Sequence, residues 1–264
     1  MCIVGRKIRQ GARDLTDHFT EPTLGYWQEL HPEVPARFAA APPHRFGYPV
    51  RLPDGRVLVL PLRAVPPGEL AVASLIANQA SHAVVAALAG HMADLARGLG
   101  AERVVGLPTL GLAFAAAVAE RLGQPRYVPL GYSRKFWYRD DLSEPVASLT
   151  SPEPGKRLRI DPNLLPLLEG RRVVVVDDAI STGATALAAI QLLSRLGIVL
   201  AGVVVAMKQT RRWEAALAAG SDAPPDGAPL AGVVPPVRAV FAGPQFERRA
   251  DGWWPVEGTL APLP

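Results

Sequence analysis

Val173-Val-Val-Val-Asp-Asp-Ala-Ile-Ser-Thr-Gly-Ala-Thr185 is the stretch from which the rest of the chain can be read. Four consecutive valines make a fully buried strand. Two carboxylates, Asp177 and Asp178, follow where that strand should emerge into solvent. Ser181, Thr182, Gly183, Ala184 and Thr185 then turn the chain into a helix with small and hydroxyl-bearing residues. Unpaired backbone N–H groups at a helix start, helped by its dipole and by the two threonine hydroxyls, suit a phosphate. Gly183 permits close backbone approach to such an anion. The two acids stand too near to bind the phosphate themselves. They can instead hydrogen-bond the vicinal hydroxyls of a sugar whose 5′-phosphate sits in the loop.

Outward from this segment a rhythm of strands and helices appears. Apolar strands are predicted over residues 103–107, 126–130, 172–176 and 200–207, with a fifth at 237–241. Helices fill the spaces, one running through Leu122 and another over about 183–196. This alternation predicts an α/β fold with a mostly parallel sheet covered by helices on both faces. Ligands in such folds bind beyond the carboxyl ends of the strands. Residues 69–97 carry apolar positions at three- and four-residue spacing and predict a helix, with a break near 78–81. Residues 48–65 predict a hairpin turned by Pro53-Asp-Gly-Arg56.

Proline is unevenly spread. Of 27 in the 264-residue chain, 10 fall in 1–67, 8 in 68–220 and 9 in 221–264. The middle therefore reads as a regular scaffold and the flanks as irregular or extended structure around it. Residues 130–166 interrupt the rhythm with a proline-rich insertion that is polar and aromatic at its start. An insertion of that length in a compact domain is either a functional loop or an inert excursion, and a mobile active-site loop is the preferred reading.

Bulk properties exclude several classes. Hydrophobic residues make up 49% and charged residues 20%, enough for a core and incompatible with disorder as the dominant state. Net charge is +4 and the pI about 9.5, yet 24 of the 28 basic residues are arginine in an Ala-, Gly- and Pro-rich chain, without a polybasic run. Nucleic acid is not an expected partner. The longest apolar stretch, residues 197–207, is too short for a membrane span of about 20 residues, and no secretory signal is visible. With one cysteine, Cys2, no internal disulfide forms, and a cytoplasmic location is expected. The five histidines show no metal-ligand spacing.

The segment 173–185 resembles the 13-residue phosphoribosyl pyrophosphate (PRPP) signature of the type I phosphoribosyltransferases across its whole length. An ordinary strand-turn-helix with a capping hydroxyl explains one Ser or Thr, but not two acids followed by Ser-Thr-Gly-x-Thr. A receiver domain places paired acids near the chain start without a phosphate loop. A dinucleotide-binding domain needs a glycine spacing that residues 107–113 lack. A PRPP synthase resembles two such domains in tandem, and this chain has room for one. Met1-Cys2 is like the start of an amidophosphoribosyltransferase, but no glutaminase-sized segment precedes the scaffold.

The resemblance implies transfer of ribose 5-phosphate from PRPP to a nucleobase, a purine ahead of a pyrimidine, in nucleotide salvage. It also implies Mg²⁺ carried by PRPP with no direct protein ligand, and a homodimer. Asp177 and Asp178 would hold the ribose, and residues 181–185 the 5′-phosphate. Thr109, Leu110 and Gly111 would meet pyrophosphate, joined by the Arg134-Lys135 pair, which resembles the opening of the flexible loop in adenine-type members. As plain residues, that pair also reads as solvated bases beside aromatics. The hairpin resembles the hood that grips the base, or is an edge hairpin. Lys208, Trp253 and Trp254 could face the base, although paired tryptophans also plug cores. The expected organisation is a flank and hairpin at 1–67, a core at 68–215 and a proline-rich flank at 216–264 completing a small hood. Two other readings stay open: a PRPP-sensing regulator with little catalysis, and transfer to a non-nucleobase amine.

Overall fold

The structure is a computed structural model that describes residues 19–146, 156–221 and 234–263. Cys2 and residues 147–155 of the expected loop lie outside them. Among the described residues the first strands are β1 (Gly47–Arg51), β2 (Val57–Val65) and β3 (Leu70–Ala73), followed by helix α1 (His82–Gly98). Strand β4 (Arg103–Gly106), helix α2 (Gly111–Arg121) and strand β5 (Val128–Gly131) follow, then the short β6 (Ser143–Pro145) and β7 (Arg157–Ile160). Strand β8 (Arg172–Ile180), helix α3 (Ala184–Arg195), strand β9 (Val199–Gln209) and helix α4 (Arg212–Ser221) complete the regular part. The last strands are β10 (Val237–Gly243), β11 (Gln245–Arg249) and β12 (Gly252–Pro255).

Seven strands form the main sheet in the order β10-β9-β8-β4-β5-β7-β6. The five from β10 to β5 are parallel, and β7 and β6 add an antiparallel margin. The valines of β8 explain why this strand is central. Val174 and Val176 pack in one apolar cluster with Val84, Leu88 and Phe114 of α1 and α2. Val173 and Val175 pack in the other with Leu192 and Leu193 of α3. A strand buried on both faces needs no polar alternation, and each enclosed valine contributes about 1.5–3 kcal/mol.

The second sheet is antiparallel, in the order β1-β2-β3-β11-β12, and draws on both ends of the chain. It packs into the same cluster as α1 and α2 through Leu58, Leu60 and Phe246. Gln209 at the end of β9 donates from Nε2 to the Ala73 carbonyl at 2.7 Å, tying this sheet to the carboxyl edge of the main one.

The structure revises two expectations about elements. Leu70–Ala73 is a strand, not the start of a helix, because Ala71 pairs with Ala64 on one side and Phe246 on the other. Tertiary pairing overrides helical spacing there, and α1 begins only after Ser81, whose hydroxyl accepts from the Val84 N–H. The insertion after β5 is also more than a loop. It supplies β6, β7 and a helical turn at Pro162–Leu167 to the sheet margin.

Candidate active site

The carboxyl ends of β4, β8 and β9 lie side by side, and the segments leaving them carry the chemistry. β8 runs on through both acids to Ile180, since Ala179 and Ile180 pair with Met207 and Lys208 of β9. Asp177 and Asp178 are therefore fixed on a strand rather than free in a loop. The Asp178 N–H donates to Oδ1 of Asp177 at 2.9 Å, and the Gly111 N–H donates to the Asp177 carboxyl as well. Burial raises both carboxyls above the usual range. At Asp177 the neighbouring Asp178 charge pushes further in the same direction. Among the described residues neither acid is ion-paired with a Lys, Arg or His. The site is a pair of carboxyls held in place by backbone donors.

Two glycines bring the surrounding segments close. Gly111, the first residue of α2, sits where a β-carbon would lie 2.8 Å from Asp177 Cα and 3.0 Å from the Val176 carbonyl. The segment before it contains a cis peptide at Pro108–Thr109, and Thr109 is exposed. Gly183 has φ +82 and opens α3 in the left-handed conformation. A β-carbon there would stand 3.2 Å from the backbone of Trp213. Thr182 Oγ1 accepts from the Ala184 N–H at 3.4 Å. The remaining N–H groups of the first α3 turn lack helical partners by construction, as at any helix start. Ser181, Thr182, Ala184 and Thr185 are all partly exposed.

Lys208 is buried. Its Nζ donates to the Pro262 carbonyl at 2.9 Å and lies 5.5 Å from the Trp213 ring centroid, and burial lowers its pKa. It stands one strand from the acids, level with Ile180, with its ammonium engaged by the Pro262 carbonyl. Of the other two residues expected to face a base, Trp253 is core. It is fully buried, edge-on to Phe19 and bonded from Nε1 to the Phe19 carbonyl. Trp254 is partly exposed, with Nε1 on Asp251 and the Arg249 guanidinium 4.6 Å from its ring centroid. A ring as enclosed as Trp253 offers no face for stacking, so the expectation for it is corrected.

Arg134 and Lys135 are exposed after β5. Arg134 pairs with Asp140. The segment touches the rest of the site through Tyr132, whose hydroxyl donates to the Pro108 carbonyl at 3.3 Å. Neither Tyr132 nor Trp213 was visible as a site residue in the sequence. Both are ordinary aromatics whose importance comes from which loop they touch.

The fold is a mostly parallel α/β sheet covered on both faces, with a pair of acids at the carboxyl end of its central strand, and comparison with known proteins gives the family. The phosphoribosyl transferase domain family model matches residues 72–219. The chain belongs to the phosphoribosyl transferase domain family. An adenine phosphoribosyltransferase of Novosphingobium aromaticivorans is 41% identical over 111 residues, covering 40% of this chain and 56% of that protein. Another, from a Parafrankia species, is 38% identical over 146 residues, covering 53% of this chain and 70% of its own length. The chain thus spans little more than half of the first relative. A solved adenine phosphoribosyltransferase from Thermoanaerobacter pseudethanolicus aligns at 26% identity and a TM-score of 0.41, over 48% of this chain and 69% of that one. No helix among the described residues is long and apolar enough to cross a membrane.

Proposed function

We propose that the protein transfers ribose 5-phosphate from PRPP to a ring nitrogen of a purine, with release of pyrophosphate. The observation that carries this reading is the acid pair Asp177–Asp178 on β8, with the Gly111 segment on one side and the Gly183 turn beyond it. A pentose 5-phosphate spans that arrangement, its hydroxyls on the acids and its phosphate at the start of α3. Adenine is the first acceptor to test, because the relatives named above carry that activity in their names.

Breaking the C1′–O bond leaves positive charge on the ribose and negative charge on pyrophosphate. Asp177 and Asp178 orient the ribose and favour the cationic sugar. Thr109 and the N-terminus of α2 face the leaving group, and Arg134 and Lys135 bring cationic donors to it. Donors of this kind are worth about 3–4 kcal/mol each when preorganised. Mg²⁺ carried by PRPP would supply further positive charge on the pyrophosphate. Loop residues after β5 would exclude water, which otherwise captures the ribosyl cation. The antiparallel sheet from the two flanks, tethered at Gln209 and Ala73, is the wall against which the acceptor would lie.

Pyrophosphate release from PRPP and Mg²⁺, measured across adenine, hypoxanthine, guanine, xanthine, uracil and orotate, tests the reading. Release with a purine is expected. PRPP binding without release for any base would favour a PRPP sensor, and no binding of PRPP would end the proposal.

A further inference from the structure

Arg134 is not free in the structure. Its Nε and Nη2 reach the two carboxylate oxygens of Asp140 at 3.1 and 3.3 Å. Asp140 is held from the other side. Arg159 Nη1 donates to the same carboxylate at 3.2 Å, and the Asp140 carbonyl accepts from Ser143 Oγ at 2.7 Å. Arg159 belongs to the sheet, paired through β7 with Gly131 and Ser143, and its side chain is only 12% exposed against 55% for Arg134. A second tether lies three residues further on. Trp137 Nε1 donates to Asp161 at 3.1 Å, and Asp161 caps the turn at Pro162–Leu167.

We propose that Asp140, fixed by Arg159, is a positioning residue that parks Arg134 on the segment after β5 and yields it to the pyrophosphate group of PRPP. This rests on the reading above. The chemistry is an exchange of acceptors. A guanidinium bound by a carboxylate in a planar, two-point geometry meets a more highly charged oxyanion that accepts the same fork. The exchange leaves no stranded charge, because Asp140 keeps Arg159 after Arg134 departs. Holding Arg134 lowers affinity for the diphosphate and speeds its release, since the carboxylate waits to take the side chain back. An exposed pair of this kind is weak enough to be displaced.

The test is pyrophosphate and PRPP binding, with Mg²⁺, by calorimetry in wild type, Asp140→Asn, Arg134→Gln and the double variant. Asp140→Asn is expected to tighten pyrophosphate binding by about two- to five-fold, the scale of an exposed ion pair. Most of that gain is expected to vanish in the Arg134→Gln background. Asp141→Asn removes the same charge one residue away, from a carboxylate paired with Arg139, and is expected to give a smaller gain. A gain that persists without Arg134, or that Asp141→Asn matches, overturns the proposal, as does unchanged or weaker binding by Asp140→Asn. A wild-type chain that binds neither PRPP nor pyrophosphate overturns the functional reading and this inference together, whereas the other failures leave the functional reading standing.

Discussion

Gly111 lies so close to Asp177 that a β-carbon on the glycine would stand 2.5 Å from the aspartate Oδ1. The start of α2 and the acid of β8 are thus one unit, joined where a side chain has no room. Gly111→Ala is expected to force backbone apart, since Asp177 Cα and the Val176 carbonyl are also within about 3 Å of the added atom. Overpacking of that kind costs about 1–3 kcal/mol. Thermal unfolding should show the loss, and PRPP affinity should fall by more than ten-fold in protein that remains folded at the assay temperature.

Asp177 should trade stability for function. Burial, then the Asp178 charge, raises its carboxyl above the usual 3.8. The folded state therefore holds the proton more tightly than the unfolded chain, so this group favours folding at low pH. That advantage declines as pH rises through the folded-state value. Asp177→Asn keeps an acceptor for the Gly111 and Asp178 N–H groups and removes the buried charge. It is expected to be more stable than wild type by about 1 kcal/mol at pH 7–8. The difference should close toward pH 3, and PRPP-dependent turnover should be lost. Denaturant melts at several pH values read the sign directly. A variant less stable at neutral pH contradicts it.

Asp54 behaves in the opposite sense. Hydrogen bonds from Arg56, at 2.9 Å from Nε and 2.6 Å from Nη2, hold its carboxyl at about 2, helped by the Arg56 backbone and by His91. A depressed carboxyl stabilises the fold above the ordinary 3.8 and loses that contribution as pH falls toward 2. Because His91 lies on α1, 3.2 Å from the Asp54 carboxylate, the contact also fastens the β1–β2 turn to the main domain. Asp54→Asn is expected to cost up to about 1 kcal/mol at pH 7, discounted for exposure. The gap from wild type should narrow between pH 4 and 2.

The adjacent tryptophans should separate cleanly. Trp253→Ala empties a fully enclosed site and is expected to cost about 3–5 kcal/mol. Trp254→Ala removes a partly exposed ring beside Arg249 and is expected to cost less than about 1 kcal/mol. Equal melting temperatures for the two variants would contradict this placement.

The PRPP signature could be read from sequence because its chemistry demands two acids and a hydroxyl-rich turn within a few residues of one buried strand. Local spacing carried that information. The alternation of strands and helices was legible for the same reason. What was hidden depends on distant partners. β3 has only four residues and owes its form to β2 and β11. β6 and β7 are also short; β7 pairs with the edge of β5, and β6 with β7. Gly183 was read as making room for an anion, but its neighbour on the protein side is the Trp213 backbone. The engagement of Arg134 by Asp140 joins residues six apart across a turn that no periodicity reveals. Trp253 and Trp254 look identical in sequence, and only the alternation of strand faces sends one inward.

The pairing of Ala71 with Phe246 has a consequence for synthesis and folding. The third and eleventh strands are separated by nearly the whole scaffold, so the five-stranded sheet has high contact order and closes late. While the chain is being made, β1 to β3 emerge first and wait with an unpaired edge until β11 appears. Leu70 and Val65 at the tip of that hairpin are exposed even in the finished protein. The interval before β11 arrives is therefore when the chain is most open to pairing with another copy of itself. Slow translation of the residues leading up to Gln245 would prolong that interval, and a stop codon before Gln245 would leave the edge without its partner; both would send the product toward aggregates.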